Sequence, residues 1–178
     1  MKQKIIQAAL KICEKEGYES FSMRKLATKL GLDPMAIYHY FDNKEGLTKA
    51  MVEQIFNRFQ EETTFVDKNS YASIKKVLIN YWNLFIEYPG MSLYLIKNSY
   101  EGFPSVVAFN QKLQQLLKKL YPESETEKIL NILIDFIHGN ALTSTSFSKG
   151  KIKEVTVRSN RKEFETTLVY LLNQFPKL

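Results

Sequence analysis

A single cysteine in 178 residues, Cys13, excludes an internal disulfide, and only His39 and His138 stand beside it as soft metal ligands. Neither a zinc module nor any other cofactor is expected. No stretch reaches the roughly 20 apolar residues that a membrane-spanning helix needs. The opening "MKQKIIQAALKICEKEGYES" scatters lysines through its apolar positions and offers no small-residue cleavage site, so a cytoplasmic protein with no membrane partner is expected. The sequence has no HExxH, no P-loop, no GxSxG and no Cys/His nucleophile pairing at a recognisable spacing. An enzyme is therefore not expected.

What is present is apolar and helical. The chain is 44% hydrophobic and 13% aromatic, enough for a real core in one domain or two small ones. Its net charge of +6 permits an anionic partner, but the distribution matters more than the sum. Residues 1 to 49 carry nine Lys/Arg against six Asp/Glu, and "SKGKIKEVTVRSNRK", residues 148 to 162, carries six basic residues against one acidic. The remainder is slightly acidic, and the basic segment reads as a solvated connecting loop.

Helix signals run almost the whole length, and strand alternation is scarce. Residues 2 to 16 place Ile5, Ile6, Ala9, Leu10 and Cys13 on one helical face, with Gly17 as a stop. Ser22 caps a second helix through Met23, Leu26, Ala27 and Leu30, which Gly31 ends in the left-handed conformation. Asp33 and Pro34 suit the cap and first position of a third. Asp42 and Glu45 match a capping box before a fourth, whose stripe is Leu47, Met51, Ile55 and Phe59. Beyond residue 70 the helices lengthen: Tyr71 to Tyr88, broken by Pro89-Gly90; a shorter one; one opened by Pro104 and closing near Tyr121-Pro122; one behind a Ser124/Glu127 capping box; and a last from Arg161 to Phe175. The expected fold is all-α, with about nine helices.

The third helix has an unusual outer side. At about 100° per residue Ile37 and Phe41 share one face, whereas Met35 and His39 lie nearly opposite, flanked by Ala36 and Tyr38, with Tyr40 nearer the buried edge. Such a face is a poor solvated surface and wants a partner. Met23 to Leu30, a glycine turn and a helix from Pro34 have the length of a helix-turn-helix, whose second helix enters the DNA major groove.

"YESFSMRKLATKLGLDPMAIYHYFDNKEGL", residues 18 to 47, resembles the DNA-binding head of the tetracycline-repressor (TetR) family of bacterial transcription regulators. Gly17-Tyr18, Leu26-Ala27, Gly31-Leu32, Ile37-Tyr38 with Phe41, and Lys44-Glu45 with Leu47 stand where that family places its pattern. The resemblance implies a helix-turn-helix head, residues 1 to 48, made of three helices and the start of the fourth. A larger helical ligand-binding and dimerisation domain, residues 49 to 178, would follow.

The resemblance also implies roles. Tyr38 and Lys44 match positions that hold backbone phosphates, and Met35, Ala36 and His39 match positions that read base edges. Here the sequence departs from the family pattern: Ala36 replaces a common hydroxyl residue, and Met35 stands where small residues or proline are frequent. Apolar contact with thymine methyls would replace a hydrogen bond. Ser22, Thr28 and Lys29 are candidates for backbone contact, with capping or plain exposure as the competing explanation. Cys13, on the apolar face of the first helix, reads as a small buried hydrophobe, and His138 as a core or interface residue.

In the larger part, Ile129, Leu133 and Phe136 lie on one arc of a helix and Leu130, Ile134 and Ile137 on another, which argues for a second covering surface. The expectation is a homodimer through about 124 to 147 and 161 to 175, binding a palindromic operator in duplex DNA. Trp82, Phe85, Tyr94, Tyr100, Phe103, Phe109 and Asn140 are candidate walls for a hydrophobic or aromatic small-molecule effector, although aromatics at helical spacing are usually core. The expected function is a ligand-responsive regulator, a repressor whose effector shifts the fourth helix and releases DNA. A protein-interaction module using its head only for localisation, and a ligand sink or an unorthodox enzyme, remain the alternatives.

Overall fold

Three residues with short polar side chains decide where the first helices begin. In the computed structural model, which describes residues 1–63, 70–98, 100–146 and 154–178 apart from the side chains of residues 146 and 154–159, α1 (Lys2–Glu16) buries Ile5, Ile6, Ala9, Ile12 and Cys13. It ends at Gly17, whose φ of +79° only glycine adopts cheaply. A single 3-10 turn, Tyr18–Ser20, leads to α2 (Met23–Leu30), where the Ser22 hydroxyl accepts from the Lys25 N–H at 3.2 Å. Gly31, at φ +65°, closes α2, and Asp33 then caps α3 (Pro34–Tyr38) by accepting from the Met35 N–H at 2.7 Å.

The cap of α4 (Lys44–Glu62) is Asn43, not the expected Asp42: its side chain accepts from the Gly46 N–H at 2.8 Å. Asp42 lies one residue too early to reach that turn. The rest of the chain forms α5 (Ser70–Glu87), α6 (Met91–Lys97), a 3-10 turn at Tyr100–Gly102, α7 (Pro104–Leu117), a 3-10 turn at Glu123–Glu125, α8 (Thr126–Ser146) and α9 (Glu154–Gln174). Ser124 falls inside that last 3-10 turn instead of capping α8, and the Thr126 hydroxyl donates to the Glu123 carbonyl at 2.9 Å. α9 begins ahead of the expected Arg161, so residues 154–162 of the basic segment are helix and not loop; residues 147–153 lie outside the described residues.

Nine helices and no strand are found among the described residues, and the fold is all-α as expected. Within the described residues no helix is long and apolar enough to cross a membrane, and no group of His, Cys, Asp and Glu is placed to hold a metal ion. α4 joins the two parts of the molecule. Its first turns bury Leu47 and Met51 with α1, and its later turns carry Ile55, Phe56 and Phe59 into one continuous apolar core with α5, α7 and α8. Glu53 of α4 adds a polar tie, accepting from the Ser105 N–H at the start of α7 at 3.2 Å and 3.3 Å.

The centre of that core is aromatic. Tyr81 of α5 packs on Phe109 of α7 with ring centroids 4.6 Å apart, on Phe85 at 4.9 Å and on Phe56 at 6.0 Å. Its hydroxyl is 2.7 Å from Nε2 of His138 on α8, so a buried phenol and a buried imidazole satisfy one another. Trp82 stacks on Phe164 of α9 at 4.8 Å and donates from Nε1 to Asn140 Oδ1 at 2.8 Å. Tyr121 donates to the Leu172 carbonyl at 2.8 Å, fastening the end of α9.

Burial sets the charge state of this centre. Desolvation pushes the His138 pKa down from 6.5 to about 4, so the imidazole stays neutral inside while the unfolded chain takes up its proton first. The contribution is fully present above about pH 6.5 and is lost as pH falls toward 4, amounting to about 3 kcal/mol over that window. Urea denaturation at about pH 7 and about pH 4.5 is expected to show this loss in the wild type, and a clearly smaller pH dependence in His138→Gln.

Candidate nucleic-acid interface

α3 is held from below by two side chains. Ile37 is fully buried and Phe41, just past the helix, is 6% exposed, so both anchor α3 in the core formed with α1, α2 and α4. The outward side is open: Met35 is 72% exposed, Tyr38 41%, His39 is exposed and Ala36 half-buried. An outward side of Met, Tyr and His on so short a helix suits a groove-reading surface better than a solvated one.

Tyr40 departs from expectation. It is 39% exposed, close to the 41% of Tyr38, although the helical wheel puts it nearer the buried edge. Its ring meets His39 edge-on at 5.3 Å, which adds a second outward phenol beside Tyr38.

The remaining candidates flank this face. Ser22 is exposed while it caps α2, and the Thr28 hydroxyl donates to the Arg24 carbonyl at 3.1 Å, leaving its oxygen lone pairs outward. Lys29 is exposed in the last turn of α2, whereas Lys25 is paired with Glu16 of α1. Lys44 opens α4, where backbone N–H groups and the helix dipole favour an anion. Its ammonium sits 4.6 Å from the centroid of the Tyr18 ring and 5.2 Å from that of Phe21. Sequence reasoning does not find Tyr18 as a functional residue, because its partner lies twenty-six positions away and no local pattern links them. Its pKa is raised, chiefly by burial.

Burial also raises the Cys13 thiol to about 12, in keeping with a small buried hydrophobe. By their contacts the seven candidate effector-binding residues fall into separate groups. Phe85 and Phe109 belong to the cluster around Tyr81, while Trp82 and Asn140 are bonded to each other. Tyr94 and Phe103 pack together at 6.1 Å near Tyr18, and Tyr100 is 51% exposed. A cleft of about 310 Å³ between α4 and α5 contains none of them. Its walls are mostly polar, including Arg58, Glu62, Asn80, Asn83 and Glu87, and Arg58 bonds Glu87 at 2.9 Å and the Tyr88 hydroxyl at 3.2 Å. The hydrogen bond to Glu87 raises the Arg58 pKa, and burial lifts the Tyr88 phenol to about 12.

Residues 5–51, which hold this face and its floor, match the family model described as bacterial regulatory proteins, tetR family. The biofilm operon icaADBC HTH-type negative transcriptional regulator IcaR of Staphylococcus aureus (strain Newman) is 26% identical over 192 residues, covering 99% of this chain and 100% of that protein. The crystal structure of a TetR variant from Acinetobacter baumannii AYE in complex with minocycline superposes with a TM-score of 0.73 at 18% identity, covering 97% of this chain and 91% of that one. BioQ with its natural double-stranded DNA operator gives a TM-score of 0.68 at 16% identity, covering 96% and 98%. Both structures share this fold from the helix-turn-helix to the last helix. Residues 5–51 thus carry the helix-turn-helix head of the tetR family, and the whole chain has the fold of its solved members.

Proposed function

We propose that the chain works in the bacterial cytoplasm as a homodimeric repressor that binds a palindromic DNA operator and is released by a small-molecule effector. It performs no catalysis. The observation that carries this reading is the outward face of α3, with Met35, Tyr38 and His39 exposed over the buried Ile37 and Phe41. The negative-regulator name of IcaR and the operator bound to BioQ support it.

In this reading residues 1–48 are the DNA-binding unit and residues 49–178 the effector and dimerisation unit. Met35, Ala36 and His39 meet base edges, the first two through thymine methyls. Tyr38, Lys44, Ser22, Thr28 and Lys29 contact phosphates, and the outward phenol of Tyr40 joins them. The dimer forms through α8 and α9, where Ile132 remains 47% and Tyr170 63% exposed on the single chain. The two-fold axis then sets two α3 helices at successive major grooves.

The effector is a hydrophobic or aromatic molecule held among the helices of the larger part, as the minocycline complex of the A. baumannii protein supports. It acts by preferring a conformation in which α4 has shifted and the two heads have left groove register, because only differential affinity moves the equilibrium. Both ends of α4 are engaged for this, by Leu47 and Met51 toward the head and by Phe56, Phe59 and Glu53 toward the body.

Selection of bound sequences from a random duplex pool at near-physiological salt is the direct test. Enrichment of a palindrome is the expected outcome, and retention that tracks salt with no enriched sequence would overturn operator recognition. Lys44→Ala is expected to weaken binding to all sequences alike and to make log K against log salt shallower by about 0.9 for each phosphate no longer neutralised. His39→Ala is expected to change preference at particular bases while leaving that slope alone; unaltered preference would remove His39 from the readout.

A further inference from the structure

The side chain of Lys44 has a built seat. An ammonium on a four-carbon stem is otherwise free among many rotamers, and ordering it costs entropy at the moment of contact. Here the faces of Tyr18 and Phe21, at 4.6 Å and 5.2 Å, restrict it before any anion arrives.

Tyr18 is itself fixed from two sides. Within the head its hydroxyl lies 3.2 Å from Thr48 Oγ1, and the Thr48 hydroxyl donates to the Lys44 carbonyl at 2.8 Å, closing a ring of contacts around the first turn of α4. Toward the body the Tyr18 N–H donates to the Pro89 carbonyl at 2.8 Å, and its ring packs 5.1 Å from that of Tyr94 on α6. The approach is close, since a Cβ on Gly90 would stand 3.3 Å from the Tyr18 Cβ, and Gly90 holds a φ of +84°. Residues 18 and 89–90 therefore meet backbone to backbone, with little room for either to move alone.

We infer that Tyr18 is a positioning residue for a phosphate contact by Lys44, and that through it the Pro89–Gly90 turn between α5 and α6 sets where the ammonium stands. The inference rests on the DNA-binding reading above and adds to the movement of α4 a second, shorter connection from the body to the DNA. A displacement of the turn that carries Tyr18 with it unseats Lys44. That removes a charge from the phosphates and leaves base readout intact, so affinity falls for every sequence alike.

The test is the salt dependence of binding of the full chain to a duplex pool of random sequence, followed by fluorescence anisotropy beside thermal melts of each variant. Tyr18→Leu removes the ring face and the hydroxyl. It is expected to bind about tenfold more weakly, with a slope shallower by about 0.9 per protomer, and adding Lys44→Ala is expected to change nothing further. Tyr18→Phe keeps the ring and is expected to retain most of the affinity. Gly90→Ala, far in sequence from any proposed DNA contact, is expected to lower the same slope at temperatures where it is folded.

An unchanged slope in folded Tyr18→Leu, or an effect that simply adds to that of Lys44→Ala, overturns the positioning role and leaves Tyr18 a packing residue. If Tyr18→Leu does not fold, Gly90→Ala carries the same readout, and an unchanged slope there overturns the connection to the body. Failure of the unmodified chain to bind any duplex is a different result, which overturns the DNA-binding reading together with the inference.

Discussion

A helix of five residues cannot hold itself up. Nucleating a helical turn fixes several residues for one hydrogen bond, so an isolated segment the length of α3 would be almost wholly unfolded in water. What keeps it formed is burial of Ile37 and Phe41, helped by the Asp33 cap and by the proline that fits its first position. The rest of the head follows from that constraint. α1 and α2 exist as a floor for those two side chains, and the outward residues are free to be chosen for a partner because they contribute nothing to keeping the helix in place.

The floor is stiff because it continues into something larger. α4 contributes Leu47 and Met51 beside the head helices and Phe56 and Phe59 to the aromatic centre, so a single helix runs through both ends of one continuous core. Side contacts restrict it further: Glu53 accepts from the start of α7, and the Tyr18 N–H bonds the turn before α6. Any rearrangement around Tyr81 and His138 is thus felt by helices that also bear on the head. A tightly packed interior passes on a displacement because it has few voids to absorb it.

The sequence discloses those parts of this architecture that are decided locally. Gly31, Asp33 and Pro34 lie close together and each acts on its own backbone, so the turn between α2 and α3 is legible to the residue. Asn43 is not, because Asp42 beside it is an equally good acceptor, and only the path of the chain decides which one reaches the Gly46 N–H. Tyr40 is placed less well by a helical wheel: helical hydrogen bonds run on to Phe41, which is buried, yet Tyr40 beside it stays 39% exposed. The aromatic residues of the body are legible as apolar and helical, but not in their grouping: Trp82 and Phe85 are about one turn apart on α5, yet one faces Phe164 and the other His138. Spacing along a helix reports which residues are buried and says nothing of which distant neighbour they meet.

The continuity of α4 bears on which changes of sequence the molecule can absorb. A boundary after residue 48 falls within the second turn of α4, so a head cut there keeps Leu47 but loses Met51 and the helix against which α1 packs. Gln3 of α1 would lose its bond to Gln54, 2.8 Å away, as well. In this chain the head therefore has no clean edge at residue 48, since α1 depends on α4 well beyond it. Substitution in place at the outward positions of α3 disturbs none of this packing. The outward surface of α3 can thus vary in place without loss of the core beneath it.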